Sequence, residues 1–285
     1  MSRPKGAWSN RTAPSSARRL GAVSDSRERV SFDRAAEYYD RTRALPESAA
    51  AAVVELLTGE LAGRGRCLEI GVGTGRIALP LAEAGQPMAG VDISAAMLSR
   101  LVEKGGGSAP FPVALADATA LPFQSGAFGG ALCVHVLHLI PDWSGAFDEL
   151  LRVLGPGSVV LVDVGGGRGD QLEAVDERFG VAAGRRFDER PGLTHASLPQ
   201  LAEHASAAGC ARRDLAPVVA RYDERIEDRI ALLEQGLYSW TWDVDPERLR
   251  RAGSETRAWA EEHLGSLTEP RRLTTEIRYV AFDVP

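Results

Sequence analysis

An α/β fold on a mostly parallel sheet is predicted by three observations. Short apolar runs alternate with helical periodicity from Cys67 to Val164, a glycine hairpin follows the first of those runs, and an acid, Asp92, closes the next. The 285 residues, with 44% hydrophobic content, suffice for one large core. Strand, glycine turn, helix, strand and acid, in that order, make a nucleotide-shaped crevice at the edge of a doubly wound sheet.

Each element has its own justification. Cys67, Leu68 and Ile70 form a short buried strand, and Gly71, Gly73 and Gly75 follow at alternate positions. Glycine permits positive backbone dihedrals there and lets a ligand lie against the main chain. Ile77, Ala78, Leu81 and Ala82 fall at helical spacing, with Pro80 in the first turns where a missing amide is tolerated. The first amides of that helix then face the crevice as unpaired donors. Residues 88–93 read as the second strand, and Asp92 at its end is placed to accept from vicinal ribose hydroxyls. A third strand is expected at 114–118, ending in Asp117-Ala118, where a carboxylate can accept from adenine's exocyclic amine. Residues 128–142 carry a fourth strand, and 150–164 give a helix end, a Gly155-Pro156-Gly157 turn and a fifth buried strand.

The loop Gly71-Val72-Gly73-Thr74-Gly75 lacks the G-x-G-x-x-G spacing of a pyrophosphate site, and Glu69 stands two residues before it. That carboxylate repels a pyrophosphate and suits a cationic ligand. A nicotinamide-dependent oxidoreductase is thereby disfavoured, while a tight strand-to-helix connection with no ligand stays open.

With IGVGTG, VDIS, DATALPF, SGAFGGALCVHVLHLIPDW and ELLRVLGPGS in this order and spacing, the chain resembles the class I S-adenosylmethionine-dependent methyltransferases. The likeness is to the small-molecule group that includes quinone-biosynthesis methyltransferases, the methyltransferase type 11 domain. It covers residues 31–164 strongly and continues more weakly through 198–220. The resemblance implies a Rossmann-like, seven-stranded sheet with an antiparallel last strand, S-adenosyl-L-methionine as cofactor, and transfer of its methyl group to a small-molecule acceptor by in-line displacement. It implies that Glu69, Gly71 and Gly73 run along the methionine and sugar of the cofactor. Asp92 would hold the ribose, Ile93 and Met97 would sandwich adenine, and Asp117 with the Ala118 amide would read its edge. His135 would sit by the sulfonium. In SFDRAAEYYDRTR, Tyr39 and Arg43 match an amino-terminal helix that closes over the methionine end, with Tyr38 and Arg41 within reach of the same role. A cofactor-binding protein without methyl transfer is the remaining alternative.

Methyl transfer from a sulfonium needs a base only when the attacking atom carries a proton. His135 and His138 lead as catalytic bases, with His195 third at the mouth of the crevice; on CVHVLHLI, His135 or His138 could instead satisfy nearby backbone carbonyls. Beyond the fifth strand, residues 171–183 and 198–209 read as helices and 212–222 as a strand. The last strand is expected at 276–284. Between them, residues 223–274 read as a helical insertion with helices at 225–238 and 246–263, the second capped by Asp245 with Pro246 at its first position. Tyr238, Trp240 and Trp242 on this insertion wall an acceptor pocket, glue the helices to the sheet domain (residues 31–222 with 275–285), or form a dimer contact.

Residues 1–30 hold seven basic residues against Asp25 and Glu28, with no apolar periodicity, and read as a disordered tail without the apolar core of a secretion signal. The net charge of −6, the absence of a basic stripe and the lack of amino-methylating or cytosine-methylating motifs disfavour nucleic acid as acceptor. Neither does any stretch reach membrane-spanning length. Cys67, Cys133 and Cys210 form no metal spacing and no disulfide framework, so no metal is expected and a cytoplasmic monomer or homodimer is the simplest expectation.

Overall fold

A computed structural model describes residues 31–165, 170–185, 192–194 and 197–285. The tail assigned to residues 1–30 and His195 lie outside the described residues.

Five parallel strands form the centre: β1 (Cys67–Ile70), β2 (Met88–Asp92), β3 (Val113–Leu115), β4 (Phe128–Cys133) and β5 (Leu154–Gly165). They are joined on one edge by β8 (Arg271–Asp283), antiparallel to β5, and then by β6 (Ala211–Asp214), antiparallel to β8, giving the order β3-β2-β1-β4-β5-β8-β6. β7 (Val218–Glu224) pairs with the first half of β8. β1 is central because it is buried on both faces and pairs both ways, Leu68 opposite Ala89 and opposite Ala131. This is the expected sheet with an antiparallel last strand.

Three local expectations are corrected. The strand expected at 212–222 is two strands, β6 and β7, because Pro217 has no amide to donate and the chain steps between them, with the Leu215 amide on the Tyr279 carbonyl. The last strand starts earlier than residue 276, at Arg271, since β7 supplies a partner for its first half. The third strand stops at Leu115: the Asp117 carboxylate accepts from the Thr119 amide at 2.9 Å and turns the chain away from the sheet.

Helices cover both faces. α1 (Tyr39–Arg43) follows a short 3-10 turn at Asp33–Ala35; α2 (Glu47–Leu61) buries Ala49, Val53, Leu57 and Leu61 at helical spacing. α3 (Ala78–Glu83) and α4 (Ala95–Lys104) link the first three strands, and Ser94 caps α4 by accepting from the Met97 amide. α5 (Trp143–Val153), capped by Asp142, leads into β5; α6 (Asp170–Ala183) and α7 (Leu198–Ala207) follow. The insertion holds α8 (Ile226–Glu234) and α9 (Pro246–Leu264), the latter with the expected Asp245 cap and Pro246 start.

Apolar clusters lie on each face of the sheet, and a third joins Leu172, Val175 and Phe179 of α6 to Ile226, Ile230 and Leu233 of α8 and Leu249 of α9. Inside this third cluster Arg229 and Asp176 form a buried ion pair, 1% and 0% exposed. The Arg229 guanidinium also donates to the Tyr238 hydroxyl and lies over its ring. No described helix is long and apolar enough to cross a membrane.

Candidate functional site

The carboxyl ends of β1, β2 and β4 leave their side chains and loops around a cavity of about 580 Å³, within the range of small-ligand sites. Its floor is the glycine loop after β1. Gly71 has φ +64°, and a β-carbon there would lie 2.5 Å from Val136 Cγ2, so a side chain is excluded by backbone and by neighbour. At Gly73 (φ +55°) a β-carbon would press on Met97 Cε at 3.1 Å. The loop is therefore bare main chain between β1 and the segment after β4.

Asp92 is tied to that loop. Its Oδ2 accepts from the Gly73 amide and its Oδ1 from the Ser94 amide, both at 2.8 Å. Burial raises its pKa, opposed by these amides. The side chain is thus oriented before any ligand arrives. Ile93 and Met97 lie alongside, Ile93 exposed and Met97 buried, and Asp117, Ala118 and Thr119 form the next edge.

Glu69 sits behind the loop, 2% exposed, and among the described residues its Oε2 has no hydrogen-bond partner. Desolvation pushes its pKa up to about 8, opposed by the Arg76 charge and the Ala78 amide. A neutral carboxyl with an orphaned oxygen at this depth is suited to receive a cation or a hydrogen-bond donor.

The amino-terminal segment closes the top. Asp33 accepts from Ser94 Oγ at 2.6 Å and from the Ala96 amide, fixing the 3-10 turn to the start of α4. Asp40 accepts from Thr74 Oγ1 at 2.6 Å and pairs with Lys104 at 2.9 Å, fixing α1 to the glycine loop. Phe32 and Tyr39, packed edge to face at 5.8 Å, are the rings this segment presents to the cavity.

Tyr39, Gly71, Gly73, Asp92, Ile93, Met97, Asp117, Ala118 and His135, each named from sequence, border this one cavity. Several others do not. Arg43 stacks over the Tyr238 ring at 4.9 Å, and His138, in the 3-10 turn Leu137–Leu139, is outside the lining. Tyr238 and Trp240 are 3% and 8% exposed and belong to the insertion's apolar core, Trp240 against Phe179, because their rings satisfy the helices' apolar faces. They are not walls of the cavity. Trp242 instead packs on Phe32, 4.9 Å between centroids, and under Arg34 at 5.2 Å.

Phe32, Thr119 and the apolar stretch Leu139 to Pro141 on the cavity wall, and Asp163 beside His135, were not among the residues named from sequence. Only Asp163 left a signal, as the lone acid in the apolar run SVVLVDV. A second cavity, about 860 Å³ around Gly165, Arg212 and Arg278, shares no lining residue with the first. No cluster of potential metal ligands occurs among the described residues.

Residues 68–162 match the family model described as a methyltransferase domain. The chain is 32% identical over 131 residues to the malonyl-[acyl-carrier protein] O-methyltransferase of Salmonella typhimurium, covering 46% of this chain and 50% of that protein. It is 30% identical over 135 residues to the demethylmenaquinone methyltransferase of Clavibacter sepedonicus, covering 46% and 55%. It therefore spans about half the length of these curated relatives. Among solved structures it resembles phosphoethanolamine N-methyltransferase 2 of Haemonchus contortus, captured with phosphomonomethylethanolamine and S-adenosylhomocysteine. The TM-score is 0.52 and the identity 19%, over 89% of this chain and 57% of that one.

Proposed function

We propose that the crevice binds S-adenosyl-L-methionine and that the protein passes its methyl group to a small-molecule acceptor, a reading supported by the match of residues 68–162 to the methyltransferase-domain model. One observation carries the reading: a single cavity joins a bare glycine loop, the amide-anchored Asp92 and the Asp117-Ala118 edge, with the orphaned carboxyl of Glu69 buried behind the loop. A ligand with an ammonium would favour the ionised form of that carboxyl and pair with it, whereas a pyrophosphate would hold it protonated and gain no such pairing.

Asp92 would hold the ribose hydroxyls, Ile93 and Met97 the adenine faces, and Asp117 with the Ala118 amide the adenine edge. Glu69 would face the amino group, along Gly71 and Gly73. Of the amino-terminal segment, Tyr39 borders the cavity, while the Arg43 guanidinium is engaged with Tyr238. When bound, the cofactor supplies an already activated methyl group. The protein's own task is to align the attacking atom and exclude water, an effect worth about 7–11 kcal/mol where alignment is good. Phe32, Leu139 and Ile140 supply the apolar wall for that exclusion. A small acceptor agrees with the net charge of −6 better than a polyanionic nucleic acid does.

Incubation with methyl-labelled cofactor and a panel of phenols, quinols, amines, thiols and carboxylates tests the transfer. Label is expected in one acceptor class with matching S-adenosylhomocysteine release. Binding of S-adenosylhomocysteine without transfer to any class would favour a cofactor-binding protein that performs no methylation.

A further inference from the structure

We propose that Asp163 is a positioning residue that holds His135 as a general base, and that the acceptor is accordingly a hydroxyl compound. This rests on the reading of the cavity as a methyl-transfer site.

His135 Nε2 lies 3.2 Å from Asp163 Oδ2, and the Asp163 side chain is 2% exposed while that of His135 is 41% exposed. The second Asp163 oxygen accepts from the Gly165 amide at 2.7 Å. The acid is therefore fixed from its own strand and directed at a ring that opens on the cavity. β4 and β5 are neighbours in register, Cys133 opposite Val162, which brings their carboxyl ends together. His135 is also the one non-glycine among the described residues with a positive φ, +51°. Such a backbone persists only where its surroundings impose it, and imposed strain clusters at functional sites. Packing alone would be served by another apolar residue at the end of SVVLVDV, because a buried carboxylate is unfavourable unless partnered.

With the Nε2 proton donated to Asp163, the basic nitrogen of the ring is Nδ1. An acceptor hydroxyl then forms the new O–C bond as its proton passes to His135, and the electron pair of the broken C–S bond leaves on sulfur. Asp163 stabilises the resulting imidazolium, which returns its proton to water. A neutral amine or a thioether attacks through a lone pair and has no need of this pair.

Other ionisable groups face the same region. Tyr279 is the cross-strand partner of Asp163, its hydroxyl kept protonated by burial and by the Asp163 charge. Glu69 lies on β1, and Asp117 and Asp142 line the cavity. The informative quantity is thus the difference between the wild type and Asp163→Asn, which leaves those groups in place.

The test is nitrogen-15 NMR of histidine-labelled full-length protein through a pH titration, with His135→Gln assigning the resonance. Wild type is expected to show one tautomer, protonated at Nε2, with a His135 pKa about one unit or more above that of Asp163→Asn. In the acceptor panel, Asp163→Asn and His135→Gln are each expected to lower kcat for hydroxyl acceptors about 100-fold with little change in KM. The exposed His135 provides the second variant should Asp163→Asn loosen the strand end. Identical tautomer and pKa in wild type and Asp163→Asn, or turnover confined to amines or thiols, overturns the proposal. Failure of wild type to bind S-adenosylhomocysteine would instead overturn the cofactor reading, with the NMR comparison still reporting on the pair.

Discussion

Glu69 sets the acid–base behaviour of the crevice. Folding raises its pKa from 4.5 to about 8, so between those values the folded chain keeps a proton that the unfolded chain releases. The free protein's stability therefore falls as pH rises through that window. A cation bound beside Glu69 favours the ionised form, so affinity for S-adenosylhomocysteine should climb from about pH 6 to about pH 8, approaching tenfold per unit. Calorimetric titrations of wild type and Glu69→Gln check this; a flat profile in wild type would remove Glu69 from the binding account. Asp92→Ala is expected to weaken the same ligand by about 2–4 kcal/mol, roughly 30-fold to 1,000-fold, and an unchanged Kd would mean the ribose lies elsewhere. These two acids were legible because Glu69 stands in β1 two residues before the glycine loop and Asp92 ends β2. The contact of Asp163 with His135 was not, since it is made between the ends of two strands, β4 and β5, and no spacing within either one encodes it, although the lone acid in SVVLVDV marked Asp163 itself.

At the scale of elements, the glycine loop and the amino-terminal segment act together through Thr74, which donates to Asp40 and receives the Lys104 ammonium. Thr74→Val removes the hydroxyl that connects them at nearly constant volume. A loss of about 1 kcal/mol in ligand affinity is expected, with faster amide exchange across residues 33–43 as the accompanying readout; unchanged exchange would show that the segment is held by other contacts. Gly71→Ala meets both a positive φ and Val136, so a loss of about 1–3 kcal/mol in stability is expected by thermal denaturation. The central strands and the Asp245-Pro246 helix start were visible because apolar runs and capping chemistry are local signals. The break at Pro217 was less so: its strand looked continuous until its partner, the unusually long β8, was known. Tyr238 and Trp240 misled for a related reason, as a cluster of large rings looks the same in sequence whether it lines a cavity or fills a core.

Across the whole molecule, a sheet with apolar clusters on both faces adjoins a helical layer that has its own core of α6, α8 and α9. The Arg229–Asp176 pair lies in that layer, so Arg229→Met should cost about 3–5 kcal/mol by leaving Asp176 buried without its partner. Adding Asp176→Leu should recover much of it, and a double variant no more stable than the single would contradict this reading of the pair. Contact between this layer and the amino-terminal segment runs through Arg43 on Tyr238 and Phe32 on Trp242, which couples the insertion to the roof of the cavity. The nature of the ligand in that cavity decides the rest. Isothermal titration of the wild-type chain with S-adenosylhomocysteine and, separately, with NAD is the most direct discriminator. Saturable binding of one S-adenosylhomocysteine per chain and none of NAD is expected; binding of NAD without S-adenosylhomocysteine would contradict the methyltransferase account.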